Sequence, residues 1–268
     1  MSDQRRGLPP WADSAFLRNV QYADDRNLAA RQSIYAYSER PANLPALVID
    51  SLRLAGNEAV ADIGCGNGLY LAELTRRGHA GPRAGVDLSP GMLLAARERE
   101  RRAPLLAADA ARLPLRDAAI DVMLAMHMLY HVPDPATAVG ELRRVTRPGG
   151  AVVIGLNGDD HLAELRALVN AELGRAYPAV GHVVTDRIKL DGAEPTLRRA
   201  FRTITRHDLS GKLRLPGPQP VTDYVLSLSL GQPPEDQERL AAAVTGGLHI
   251  GESGVFTVTT HCGWLICT

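Results

Sequence analysis

The chain has 268 residues, 45% of them hydrophobic and 22% charged, the balance of an ordinary globular protein long enough to bury a core without staples. Its 30 basic and 30 acidic residues cancel, which argues against a nucleic-acid partner, because phosphate neutralisation supplies most of such affinity. No apolar run reaches the roughly 18–20 residues that a membrane-spanning helix needs. Arg5-Arg6 is followed by Gly7-Leu8-Pro9-Pro10 with none of the apolar segment that an export signal carries. Cys65, Cys262 and Cys267 make neither a disulfide framework nor a paired metal spacing. These features predict a cytoplasmic protein with no membrane or nucleic-acid partner and no bound metal; they say nothing of oligomeric state.

Residues 1–13 read as a polar, Pro-containing arm. Between Ser14 and Ser38 the apolar residues Leu17, Val20, Leu28 and Ile34 recur at roughly helical spacing and predict one or two amphipathic helices closing before Pro41. A third helix is expected over 44–54. Alternation of strands and helices then begins, with strands at 59–63, 84–87, 105–108, 120–126 and 151–156. Helices are expected over 69–77, 90–102 and 135–146, the second capped by Ser89 with Pro90 at its first position. Pro148-Gly149-Gly150 reads as a turn. This pattern predicts a doubly wound parallel α/β sheet. Beyond Asn157 a helix over 160–174, a mixed stretch to Pro195, a helix at 195–200 and a strand at 201–206 are expected. Short helices near 221–230 and 235–245 and two strands, 256–259 and 264–267, parted near Gly263, complete the reading. The division is an N-terminal helical arm or lid over 1–44, a cofactor-binding core over 45–156, and cap elements with C-terminal strands over 157–268.

The informative segment is Val60-Ala61-Asp62-Ile63-Gly64-Cys65-Gly66-Asn67-Gly68. Glycines let the backbone turn tightly and approach a ligand without a Cβ between them. The helix that follows points its N-terminus at an anionic group. A dinucleotide fingerprint needs a third glycine at position 69, which is Leu69. Asp87 ends the second strand, where a carboxylate accepts from both ribose hydroxyls. Asp109 follows the third strand, where a carboxylate can accept from an exocyclic amine. Three acids at strand ends with a glycine loop describe a nucleoside carrying an amino acid, without a pyrophosphate.

Asp62-Ile63-Gly64-Cys65-Gly66-Asn67-Gly68, Gly85-Val86-Asp87-Leu88-Ser89, Ala108-Asp109-Ala110, Asp121 to His127 and Leu142 to Gly150 stand in an order and spacing that resembles the class I S-adenosylmethionine (SAM)-dependent methyltransferases, in particular the type 11 small-molecule group. That resemblance covers about residues 45–156. It implies a Rossmann-like, mostly parallel seven-stranded sheet with a helical N-terminal lid and inserted cap elements. It also implies methyl transfer from SAM to a small-molecule acceptor, giving S-adenosylhomocysteine (SAH); O-, N- and C-methylation stay open. By resemblance, Gly64, Cys65 and Gly66 approach the methionine part, with Asp62 near its ammonium. Asp87 takes the ribose, Leu88 and Met92 pack beside the adenine, and Asp109 with Ala110 holds its edge. Ala125 lines the methionine end. Tyr22 and Arg31 of the lid are expected to reach the sulfonium and the methionine carboxylate. His127 and His131, just after strand four, are the candidate general bases. A SAM-binding protein without catalysis is the alternative from another class.

Overall fold

The computed structural model describes residues 13–176, 187–228, 234–248 and 254–268. The expected N-terminal arm therefore falls outside it, as do parts of the mixed stretch before Pro195 and the end of the helix expected over 221–230. A seven-stranded sheet has the order β3-β2-β1-β4-β5-β7-β6. Its strands are β1 (Val60–Ile63), β2 (Arg83–Asp87), β3 (Leu105–Ala107), β4 (Ile120–Met126), β5 (Thr146–Asn157), β6 (Ile204–Pro216) and β7 (Val255–Cys267). The first five run parallel, and β7 is antiparallel to both β5 and β6. Order reverses at β1 and β4, the switch point outside whose carboxyl ends an open α/β sheet binds its ligand.

Helices α3 (Leu44–Leu52), α4 (Leu69–Arg76), α5 (Pro90–Arg99) and α6 (Pro135–Val145) accompany this core. The Ser89 hydroxyl accepts from Met92 N–H at 3.3 Å, capping α5 as expected. Asp134 caps α6 through Ala136 N–H at 3.0 Å. Val122 to Met126 of β4 are all buried, the mark of a central strand covered on both faces.

Three expectations need correction. Pro148-Gly149-Gly150 is no free turn but part of β5, within a bulge where the β4–β5 register shifts between Ile120 and Val122. A Cβ on Gly150 would stand 2.5 Å from Asp121 O, so glycine permits that approach. The strand expected at 201–206 runs from Ile204 to Pro216, so residues 211–216 belong to the sheet. The two C-terminal strands are one, because Gly263 sits where β7 touches β6 and a Cβ would lie 2.3 Å from His207 O.

The β6–β7 ladder extends past the parallel core, and its far half floors a second apolar cluster. Leu213, Leu215 and Val258 pack there with Leu165 and Val169 of α7 (Ala163–Ala176), the short α8 (Glu194–Leu197) lying elsewhere against the main core. Val221 and Val225 of α9 (Gln219–Leu226) and Leu240 and Val244 of α10 (Pro234–Gly246) complete the cluster. The N-terminal segment joins it through Ile34. That segment comprises α1 (Ser14–Phe16) running into a π-helical turn, then α2 (Arg26–Ser33) and a short 3-10 turn. It is fastened to β6 by a bridge between Ser38 and Leu213, with Glu39 N–H donating to Lys212 O at 3.0 Å. Among the described residues no helix is long and apolar enough to cross a membrane.

Candidate active site

Beyond β1 the chain turns through Gly64, Gly66 and Gly68, with φ of 67°, 52° and 78°, a region that side chains with a Cβ disfavour. The N–H groups of Gly64 and Cys65 both donate to Val86 O, at 2.7 and 3.0 Å, which ties the loop to β2. A Cβ on Gly64 would lie 2.6 Å from Met128 Cβ, so the loop can pass beneath the segment after β4 only as glycine.

Asp62 is 1% exposed and its Oδ2 has no hydrogen-bond partner. Burial, with the Asp87 charge added, pushes its carboxyl well above the usual range. A buried acceptor left unpaired costs free energy, about 1–3 kcal/mol or more for a charged group. It therefore fits a ligand cation. Asp87 accepts from Gly66 N–H and Ser89 N–H, both at 2.8 Å, one on each oxygen, leaving lone pairs on both. Burial raises its carboxyl too, while those N–H groups hold it down. Asp109 caps its own turn through Ala111 N–H at 2.8 Å.

A cavity of about 860 Å³ opens from these strand ends toward the helical cap. Asp62, Gly64, Cys65, Asp87, Leu88, Met92, Asp109 and Ala110 line it, as do Tyr22, Arg31, His127 and His131. Gly66 and Ala125 are not on its wall. Gly66 faces Leu28 of the lid, whose Cδ2 would meet a Cβ at 3.2 Å. Ala125 lies wholly inside the sheet core, and its neighbours Met126 and His127 reach the cavity in its place. Burial keeps the Cys65 thiol protonated, which makes it packing rather than a nucleophile.

The lid closes one side. Tyr22 Oη lies 2.9 Å from His131 Nε2, and Ser89 Oγ donates to Tyr22 O at 2.6 Å. Arg31 Cζ stands 5.2 Å from the centre of the Tyr22 ring. Its Nη1 donates to Ser227 O at 3.0 Å, its Nη2 is buried without a partner, and no hydrogen bond of its side chain reaches the glycine loop.

His127 has a φ of 55°, a left-handed turn that ends β4 and costs of order 1–3 kcal/mol for a residue with a Cβ. Its N–H donates to Gly155 O at 2.9 Å and its ring is hydrogen-bonded to Asn157. Burial pushes its pKa down to about 4. Sequence reasoning missed Tyr35, His161, Arg166, Tyr224 and Cys262, all of which line the cavity. They come from four separate segments that only the β6–β7 arm assembles, and no spacing could have joined them. Among the described residues, no three His, Cys, Asp or Glu side chains are placed to hold a metal ion.

The sequence and the fold are similar to those of known proteins. Residues 61–154 match the family model described as a methyltransferase domain. An uncharacterized methyltransferase of Mycobacterium bovis is 32% identical over 206 residues, 76% of this chain and 78% of that one. A transposon-encoded, uncharacterized protein of Streptomyces fradiae is 32% identical over 214 residues, 78% of this chain, which spans 56% of that protein's length. Among solved structures, a SAM-dependent methyltransferase of Thermotoga maritima has a TM-score of 0.54 at 17% identity, covering 93% of this chain and 99% of that one. The chain belongs to the class I SAM-dependent methyltransferases.

Proposed function

We propose that the protein methylates a small-molecule acceptor in the cavity between the strand ends and the helical cap. The observation that carries this reading is the unpartnered Asp62 carboxyl, set beside a glycine cradle and the Asp87 acceptor pair at one end of a cavity that continues well past them. At about 860 Å³ the space is near the top of the roughly 300–1,000 Å³ range of small-ligand sites. Asp62 would hold the ammonium of SAM, Asp87 its ribose hydroxyls, and Asp109 with Ala110 its adenine edge, between Leu88 and Met92.

When bound, SAM supplies an electrophilic methyl on a sulfonium. The chain's part is alignment and exclusion of water. Tyr22, His131 and Tyr130 form a packed aromatic group, with Tyr22–His131 and Tyr130–His131 ring centroids 5.5 and 4.7 Å apart. This group lines the cavity beside the strand ends. Orienting two reactants can contribute as much as about 7–11 kcal/mol, and a dry site strengthens every polar contact within it. His127 and His131 are the candidate bases for an acceptor that must lose a proton. His127, with a conjugate acid near 4, is a weak one.

The test is calorimetry with SAH, followed by turnover of methyl-labelled SAM against a metabolite panel. Label recovered in a small molecule supports the proposal. SAH binding with no transfer to any panel member points instead to a SAM-sensing protein.

A further inference from the structure

The charges on the cavity wall are segregated. Its carboxylates are Asp62, Asp87 and Asp109, all at strand ends in the cofactor half. Every other wall residue of full charge is an arginine: Arg18, Arg31, Arg40 and Arg166. Among the described residues none of these four forms an ion pair, whereas Arg77, Arg144 and Arg206 each bridge two carboxylates elsewhere on the surface. Arg18 and Arg40 are exposed at the rim, and Arg31 and Arg166 are half-buried deeper in. The two inner arginines reach only main-chain oxygens, Arg31 that of Ser227 and Arg166 that of Asp159. Burial raises the Tyr224 hydroxyl, and the charges of Arg31 and Arg166 draw it back down, so both cations lie within electrostatic reach of that ring.

A second observation has the same sense. His261 N–H donates to His161 Nδ1 at 3.1 Å, and a main-chain N–H can only donate. The ring of His161 is buried and neutral, its pKa pushed down to about 3, so its proton resides on Nε2. That N–H donates to Tyr35 Oη at 2.9 Å. The hydroxyl of Tyr35 thereby has its own proton left over, and Tyr35 lines the cavity. Tyr35 is 41% exposed as a residue, but its hydroxyl is pushed well above the ordinary tyrosine value by the desolvation around it, so it keeps its proton. Arg31, Arg166 and Tyr35 thus each bring a donor to the cap side of the cavity.

We propose that the methyl acceptor is an acid, anchored through its anionic group by Arg166 and Arg31 beside Tyr224, with Tyr35 donating to it. This rests on the reading of the cavity as a small-molecule methylation site and adds the chemical class of the acceptor. Tyr22, Tyr130 and Tyr224 line the same cavity together with leucines, so the body of the acid is apolar and finds aromatic faces beside it. A carboxylate held by guanidinium N–H donors has its lone pairs engaged. It therefore serves as the anchor, and the methyl goes to another atom of the acceptor.

The test uses the full chain saturated with SAH and two probes of one shape, 2-naphthoate and 2-naphthamide, titrated by calorimetry. Naphthoate should bind at least about tenfold more tightly than the amide. R166Q should erase most of that preference by weakening naphthoate far more than naphthamide, with SAH still bound, and R166K should retain it, which a packing role for the side chain would not produce. Equal or tighter amide binding overturns the inference. So does the absence of saturable naphthoate binding in the millimolar range, or an R166Q variant that keeps the preference. A wild-type chain that fails to bind SAH refutes the methylation reading itself, whereas SAH binding without acid preference overturns the acceptor class alone.

Discussion

The main-chain N–H of Gly66 donates to Asp87 Oδ2 at 2.8 Å, so one side chain at the end of β2 both shapes the glycine loop and faces the cofactor half of the cavity. D87A removes two acceptors for ligand hydroxyls and leaves the N–H groups of Gly66 and Ser89 unpaired. Hydrogen bonds to a charged group are worth about 1.5–3 kcal/mol each. SAH affinity should fall at least about tenfold, or 1.4 kcal/mol, and the melting temperature should drop as well. A variant that matches wild type in calorimetry removes Asp87 from the site.

If Asp62 holds the ligand ammonium as proposed, cofactor binding is proton-linked. Its folded carboxyl lies well above the ordinary value because of burial and the Asp87 charge. A ligand ammonium favours the ionised form and expels the proton. SAH affinity should therefore climb with pH as the free protein's Asp62 titrates, and calorimetry in buffers of different ionisation enthalpy should detect proton release. D62N should bind more weakly and show a flat profile. A wild-type profile as flat as that of D62N would falsify the assignment.

Gly91, at the start of α5, touches the lid. A Cβ there would fall 1.8 Å from Ala23 O, a contact with backbone that cannot relax by a rotamer change. G91A should displace residues 22–24 and with them the bond from Ser89 to Tyr22. The expected result is weaker SAH binding and faster hydrogen exchange over residues 14–37 with the sheet still protected. Unchanged exchange in the N-terminal segment would show that the lid seats independently of α5.

Two histidines with depressed pKa values, half-buried His127 and buried His161, should weaken the fold in acid. His127 and His161 have folded pKa values near 4 and 3, below the 6.5 of a free imidazole, so the unfolded chain takes up these protons first. Their contribution is intact above about pH 6.5 and is lost as pH falls toward 4 and then 3. Asp62 and Asp87, raised by burial, act in the opposite sense. Denaturant titrations should show stability declining with acid between pH 6.5 and 4, and H161Q should reduce that slope by about one proton. An H161Q slope equal to wild type would mean that His161 is charged in the native state.

The same depression bears on catalysis. With a conjugate acid near 4, His127 is neutral at every working pH and poorly matched for proton abstraction. Turnover should be flat between pH 6 and 8, and H127A should lose less than about fivefold. A loss of about 10²–10⁴ with SAH affinity preserved would make His127 the base after all.

That the residues proposed for the cofactor line one cavity was legible because they are local in sequence. Asp62 near the end of β1 is followed at once by Gly64 and Gly68, Asp87 ends β2, and Asp109 lies two residues past β3. Ala125 misled because the family's register places the methionine end near β4 without saying which residue turns out of the strand. The positive φ of His127 decides that, and no propensity announces it. The acceptor half was invisible for a different reason. Tyr35, His161, Tyr224 and Cys262 line one cavity because β6 and β7 are each 13 residues long, whereas the sequence suggested a β6 ending at 206 and a β7 parted near Gly263. Glycine in a strand commonly marks a break, yet at Gly263 it marks a close backbone approach.

The place of β7 in the sheet has a consequence for biosynthesis. β6 leaves the ribosome some forty residues before β7, its partner on one side and the strand that joins it to β5. Throughout that interval its long, polar-patterned edge has no strand to pair with, the kind of exposed template that invites intermolecular pairing. The nascent chain can settle its cofactor half early, while the acceptor half waits for the final strand. Ribosome-stalled chains ending before Val255 should accordingly expose β6 to proteolysis while the β1–β5 core resists it.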